Sequence, residues 1–96
     1  MDDKIGSILN KIKSDFPEKK ITYHFANELH TFRIEGESAT HWLYIDRDYV
    51  DDADETDLIN LINQCGIIDI LRESKKSKWL YLYDNGVREV NDNFAK

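Results

Sequence analysis

Seven acidic side chains crowd the short segment from Asp46 to Asp57, and carboxylate oxygens are the ligands that calcium prefers. A calcium-binding EF-hand loop that began at Asp46 would need glycine at its sixth position and a bidentate glutamate at its twelfth. The sequence has Asp51 and Asp57 there, and Val50 at the fifth position offers no side-chain oxygen. The segment therefore does not match this metal-binding loop.

Three histidines and one cysteine are the other residues that suggest metal binding or nucleophilic chemistry. His24 and His30 face opposite sides of a predicted hairpin, and His30 and His41 lack the cysteine or carboxylate neighbours that would complete a zinc site. Cys65 falls on the apolar stripe of a predicted helix, which is typical of an inert buried thiol. No serine lies in a nucleophile elbow, and the glycines are scattered. We expect no enzyme activity, no metal and no cofactor.

The charge imbalance of the chain lies entirely in the acidic segment, residues 46–57. This segment carries the whole formal net charge of −6, because the remainder of the chain has equal numbers of acids and bases. Such a segment repels phosphates and steers a basic protein surface toward itself. The residues predicted to bind a partner here are Asp46, Asp48, Asp51, Asp52, Asp54 and Glu55. In the alternative interpretation, the last four of these only complement the positive end of the following helix.

The sequence Trp-Leu-Tyr occurs twice, at residues 42–44 and 79–81. Alternation along a strand places the leucine on one face and the two aromatic residues on the other. Tryptophan, tyrosine and arginine are enriched where proteins bind one another. The predicted binding residues on this aromatic face are Arg33, Trp42, Tyr44, Trp79 and Tyr81. In the alternative interpretation, a helix covers the aromatic residues of the second Trp-Leu-Tyr sequence. The basic cluster at 72–78 is typical of a solvated turn, and no nucleic-acid partner is predicted.

Apolar spacing predicts the elements that hold these residues. Ile5, Ile8, Leu9 and Ile12 predict a helix over 3–14, which Pro17 ends. Strands are predicted over 20–26, 29–35 and 40–46, in a register that sets Tyr23 opposite Phe32 and Arg33 opposite Trp42.

A second helix is predicted from Asp54, as its N-cap, to Cys65, with Gly66 just beyond its end. For residues 67–73 the isoleucine content favours a strand, with Arg72 opposite Trp79, over a further helical turn. Residues 78–83 and 87–90 predict a hairpin around Asp84-Asn85-Gly86, and residues 91–96 a frayed tail in which Phe94 is held.

These elements predict a single α+β domain over residues 1–96. Its antiparallel sheet would have five or six strands, with two helices mainly on one face, in the order α-β-β-β-α-β-β-β. We expect a cytoplasmic protein that binds no membrane and occupies a basic surface of a protein partner, as an inhibitor or immunity-type protein would. The alternatives are a homodimer that closes the aromatic face, and a small-molecule binder that uses that face.

Overall fold

The computed structural model describes residues 3–37, 39–83 and 86–94. Over these residues the chain forms four helices and five strands, and the predicted α+β class is confirmed. In chain order the elements are α1 (Asp3–Asp15), β1 (Lys20–Ala26), β2 (Leu29–Glu35), β3 (Thr40–Asp46), α2 (Arg47–Asp52), α3 (Glu55–Gln64), α4 (Ile67–Glu73), β4 (Trp79–Tyr83) and β5 (Gly86–Val90).

Helix α1 supplies one side of the core. Ile5, Ile8 and Ile12 are buried, as their spacing predicts, and each such side chain contributes about 1.5–3 kcal/mol through burial. Phe16 follows the helix, is also buried, and donates its backbone N–H to the carbonyl of Ile12. The helix ends here because Pro17 cannot continue the hydrogen-bond ladder.

Strands β1, β2 and β3 form the predicted antiparallel meander, with the predicted bounds and register. Asn27 and Glu28 have φ of 54° and 63°, the left-handed backbone of a two-residue turn between β1 and β2. Tyr23 lies opposite Phe32, and Phe32 lies opposite Leu43. One face of the three strands is therefore apolar and packs against the helices.

Helix α2, which was not predicted, follows β3 directly. Its one buried residue is Val50, so the sequence shows no apolar periodicity that would reveal a helix. The carboxylate of Asp46 caps the helix by accepting the Tyr49 N–H at 3.3 Å. At its other end the Lys4 ammonium donates to the carbonyls of Val50 and Asp51, at 2.9 and 3.2 Å, which ties α2 to α1.

Helix α3 begins where the sequence predicts, because the Asp54 carboxylate accepts the Asp57 N–H at 2.8 Å. Gly66 follows its end in the left-handed region, with φ of 66°. The predicted strand over 67–73 was wrong, since these residues form α4. Ile67 and Leu71 are one helical turn apart and both fully buried, so core burial outweighs the strand preference of isoleucine.

Consequently, the predicted pairing of Arg72 with Trp79 does not occur. The Arg72 guanidinium instead donates to the carbonyl of Asp15 at 2.8 Å and lies 5.5 Å from the centre of the Phe16 ring. These contacts join α4 to the end of α1.

Strand β4 pairs with β3 in parallel, because α2, α3 and α4 return the chain to the end of the sheet at which β3 begins. The sheet order is β1-β2-β3-β4-β5, so the prediction of an all-antiparallel sheet was wrong at this junction. Trp42 lies beside Trp79, and Leu43 lies beside Leu80. The two Trp-Leu-Tyr sequences are therefore neighbours in register, with their leucines in the core.

Strand β5 returns antiparallel beside β4, as predicted, and Tyr83 lies opposite Gly86. The predicted turn residues Asp84 and Asn85 lie outside the described residues. The buried side chains of all four helices join the inward side chains of the sheet in one core cluster. The described helices thus cover one face of the sheet, as predicted, and the aromatic face lies on the other side.

The backbone at Gly66 gives a testable prediction. A methyl group at Gly66 would meet no atom within 4 Å, so Gly66→Ala tests the left-handed backbone alone and should lower the free energy of unfolding by about 1–2 kcal/mol. The matched control is Gly6→Ala within α1, which also meets no atom and should raise it by about 0.5–1 kcal/mol. Urea unfolding measures both, and an equal effect of the two substitutions would contradict the assignment of α3 and α4 as separate helices.

Candidate functional site

A cleft of about 500 Å³ lies between α2 and the end of β4. Its lining residues are Asp46, Asp48, Tyr49, Asp52, Ala53, Tyr81 and Tyr83. The sequence predicted an acidic segment and an aromatic face as separate surfaces, and here the structure brings part of each together. Three of the six predicted acids and one of the predicted aromatic residues line the cleft. Tyr49, Ala53 and Tyr83 were not predicted as site residues.

The acidic wall of the cleft is built by the turn from β3 into α2. Asp46 ends β3, and Asp48 and Asp52 lie four residues apart on α2, which puts them on the same side of the helix. Both are exposed, and like charges at this spacing destabilise a helix by about 0.2–0.5 kcal/mol. Arg47 offsets part of this charge, although its shorter contact is to Glu28, at 2.8 Å, and its contact with Asp48 is 3.4 Å. A cation in the cleft would relieve the remaining repulsion.

The aromatic wall is built by alternate residues of β4. The rings of Tyr81 and Tyr83 stack with their centres 5.5 Å apart and their planes 15° apart. Phe94 packs against Tyr81 at 4.8 Å, and the Arg88 guanidinium lies 5.7 Å from the centre of the same ring. Both tyrosines are half-buried, so their rings are fixed by neighbours while part of each surface lines the cleft.

Other predicted acids lie outside the cleft. Asp54 caps α3, and Glu55 accepts a hydrogen bond from the Ser7 hydroxyl at 2.6 Å, which links α3 to α1. Asp51 is exposed near the end of α2. Of the four acids in the alternative interpretation, Asp54 and Glu55 lie at the start of α3 as that interpretation requires. Asp51 and Asp52 instead end α2, and Asp52 lines the cleft.

The remaining predicted aromatic residues lie nearer the start of β3 and β4. The Trp42 and Trp79 rings stack almost in parallel, with centres 5.0 Å apart and planes 2° apart. The Arg33 guanidinium lies 5.9 Å from the centre of the Trp42 ring, as predicted from the register, and pairs with Glu35 at 2.6 Å. Trp42 is thus held by both neighbouring strands.

Tyr44 is only 4% exposed and lies next to Phe94, with ring centres 5.7 Å apart. Phe94 is thus held by ring contacts with Tyr44 and Tyr81, and it covers the middle of the aromatic face. Residues 95 and 96 of the predicted frayed tail lie outside the described residues.

The histidines occupy three different settings. His24 is exposed on one face of the β1–β2 hairpin. On the other face, His30 Nδ1 lies 2.7 Å from the Tyr23 hydroxyl. Over the described residues, no group of three or more His, Cys, Asp or Glu side chains is placed to hold a metal ion. Cys65 is half-buried at the end of α3.

A second open cavity, of about 670 Å³, lies at the opposite end of the sheet with His41 in its wall. His41 is 1% exposed, and its Nδ1 accepts the Lys78 backbone N–H at 3.2 Å. Burial, followed by the charge of Lys19, lowers the pKa of His41, although a hydrogen bond with the Leu71 backbone acts in the opposite direction. The His41 ring therefore links the Lys78 backbone, next to the start of β4, to the Leu71 backbone of α4.

No family model, curated protein or solved structure matched this chain when it was compared with them. None of the described helices has the length and apolar character needed to span a bilayer.

Substitution of Asp54 tests which acidic residues stabilise a helix and which are free of that role and available to bind a partner. Asp54→Ala should lower the free energy of unfolding by about 1 kcal/mol, because it removes the N-cap of α3. Asp52→Ala removes an equal charge from the last residue of α2, where a negative charge opposes the helix dipole, and should not lower stability. Thermal unfolding of both variants at the same pH checks this, and equal destabilisation would contradict the division of roles.

The lowered pKa of His41 predicts how stability depends on pH. Above the usual histidine pKa of about 6.5 neither the folded nor the unfolded state binds this proton. As the pH falls below that value the unfolded state binds it first, so the free energy of unfolding decreases until the folded-state pKa is passed. In His41→Gln this decrease should be smaller between pH 7 and pH 5. Urea unfolding at several pH values measures it, and parallel curves for the two proteins would contradict the prediction.

Proposed function

We propose that this protein is a small protein-binding domain that takes an arginine side chain of a basic partner into the cleft between α2 and β4. The observation that supports this is the meeting of the Asp48 and Asp52 carboxylates with the stacked Tyr81 and Tyr83 rings around one cavity. The partner would be a protein with a basic surface. The role would be that of an inhibitor or immunity-type protein that covers this surface.

A guanidinium suits the two walls of the cleft together. Its planar fork donates to a carboxylate in bidentate fashion, and its face stacks on an aromatic ring. A cation over a tyrosine ring contributes about 0.5–1 kcal/mol when exposed and about 2 kcal/mol when desolvated. Lysine offers a point charge without the flat surface, so the cleft should prefer arginine.

The position of the charge supports fast association with such a partner. The acidic segment, which forms the acidic wall, carries the whole net charge of −6. Its residues Asp48, Asp51 and Asp52 are exposed. Exposed charge of one sign attracts a basic surface at distances up to about one Debye length, roughly 8 Å at physiological salt. Electrostatic complementarity of this kind raises the association rate and makes it dependent on salt.

Hexa-arginine amide serves as the test ligand because the partner is not needed to examine the cleft. Fluorescein-labelled hexa-arginine should bind the wild-type domain, and Asp48→Asn/Asp52→Asn should weaken binding about tenfold, equivalent to about 1.4 kcal/mol. The matched control is Asp69→Asn/Glu73→Gln on α4, which changes the net charge equally on exposed residues away from the cleft. Fluorescence anisotropy at two salt concentrations measures all three proteins.

Two further comparisons make the test decisive. Hexa-lysine should bind more weakly than hexa-arginine, and Tyr83→Leu should reduce the difference between them by removing one ring of the aromatic wall. Equal weakening by the cleft variant and the α4 control would contradict the proposal, because binding would then follow net charge alone. Absence of binding to the wild-type domain at low salt would contradict it as well.

A further inference from the structure

Strand β1 forms an outer edge of the sheet. It pairs with β2 along all seven residues, and the described part of the chain places no strand along its other side. The pairing is continuous without a bulge, and the strand contains no proline. Natural edge strands are usually shortened, bent or charged to prevent association with another chain. In β1 the one formally charged residue at neutral pH is Lys20, at the strand's beginning.

An exposed aromatic side chain lies on this edge. Phe25 is 48% exposed, and the only other large apolar side chain exposed to a similar degree in the described residues is Ile70, at 37%, on α4. Phe25 packs on one side against His30, with ring centres 4.8 Å apart. About half of the Phe25 side chain stays exposed, and a strand paired along β1 would cover part of that surface.

The turn between β1 and β2 determines which backbone groups point outward. Residues 26 and 29 flank a two-residue turn and are therefore a hydrogen-bonded pair. Hydrogen-bonded and non-hydrogen-bonded pairs alternate along an antiparallel ladder. Ile21 and Phe25 consequently belong to non-hydrogen-bonded pairs with β2, and their N–H and C=O groups point away from it.

We propose that β1 pairs in antiparallel fashion with β1 of a second copy of this chain, around a two-fold axis at Tyr23. In this register Ile21 of each copy lies opposite Phe25 of the other. The two Ile21–Phe25 pairs form four backbone hydrogen bonds, and each isoleucine covers an exposed phenylalanine ring. The same residues serve on both copies, as a two-fold interface requires.

The side chains of β1 fit those of a second copy in this register. The proposed register sets Lys20 opposite Ala26 and Thr22 opposite His24, so no like charges meet. A strand of a different protein would need to supply the same sequence of small and apolar partners, whereas this chain already carries it. The edge of β5, in contrast, carries Arg88 and Glu89, both exposed.

The assembled dimer would have one ten-stranded sheet. A two-fold axis perpendicular to the sheet keeps the helices of both copies on the same face, and the aromatic faces become continuous on the other. Each copy keeps its own cleft between α2 and β4, at a distance from β1 in the sheet order. The proposal therefore does not depend on what the cleft binds.

Molar mass in solution tests the proposal. Light scattering behind size exclusion, over a hundredfold concentration range, should show the wild-type mass rise from monomer to dimer. Phe25→Lys should raise the dimer dissociation constant at least tenfold, since it places two extra charges across the new edge and removes both ring contacts. The matched control, Ile70→Lys, also changes an exposed apolar residue to lysine and should leave the dissociation constant unchanged.

Disulfide trapping tests the register itself. In a Cys65→Ser background, Thr22→Cys and His24→Cys are mixed and oxidised at a concentration where the dimer forms. Residues 22 and 24 of different copies would be a non-hydrogen-bonded pair with Cα atoms about 4.5 Å apart, within the range of a disulfide. Each variant alone places its cysteines diagonally, about 7–8 Å apart, and should crosslink poorly.

The outcomes separate cleanly. Crosslinking of the mixture above that of either variant alone, together with a dimer sensitive to Phe25→Lys, supports the proposal. A wild-type protein that stays monomeric at the highest concentration overturns it. A dimer that resists Phe25→Lys and does not crosslink in the mixture also overturns it, because the copies would then associate through another surface, such as the aromatic face.

Discussion

Parallel pairing of β3 with β4 is the constraint on which the rest of the molecule depends. Two parallel neighbours cannot be joined by a tight turn, so the chain must cross from one end of the sheet to the other before β4 begins. The segment from Arg47 to Glu73 performs this crossing as three short helices. Their buried residues, Val50, Leu58, Ile62, Ile67 and Leu71, complete the core that α1 begins.

The same constraint explains why acids and tyrosines meet. In a parallel pair the carboxyl ends of both strands lie at the same edge, so the exit of β3 into α2 is next to the end of β4. Asp46 is the last residue of β3 and Tyr83 the last residue of β4, and α2 lies beside both. An antiparallel β4 would have placed its tyrosines at the opposite end from the acidic segment. Both walls of the cleft thus follow from one choice of strand direction.

The elements that the sequence predicted well are those with local signals. The strands of the meander have alternating apolar residues and short turns, and α1 and α3 have apolar stripes with a terminator or a cap. Helix α2 has one buried residue, so periodicity could not identify it. In α4 the isoleucines suited either a strand or a helix, and only contact with the rest of the core decided between them.

The candidate site could be predicted only in part, for a related reason. The acidic run and the aromatic residues stand out in composition, but their meeting depends on the parallel register, which no short stretch of sequence encodes. Tyr83 was not counted among the predicted binding residues, although it alternates with Tyr81 on the same strand. The alternation could have identified it as a neighbour of the predicted residues, while its proximity to Asp52 required the fold.

Stacking of Trp42 on Trp79 has a consequence for observing this molecule. These are the two tryptophans of the chain, so its entire tryptophan emission comes from one contact between β3 and β4. That contact closes a loop of more than thirty residues, whereas the β1–β3 meander forms through local turns and contains no other indole. Tryptophan emission consequently reports on formation of the long-range contact between β3 and β4. Tyr23, Phe25 and Phe32 on β1 and β2 contribute no indole emission.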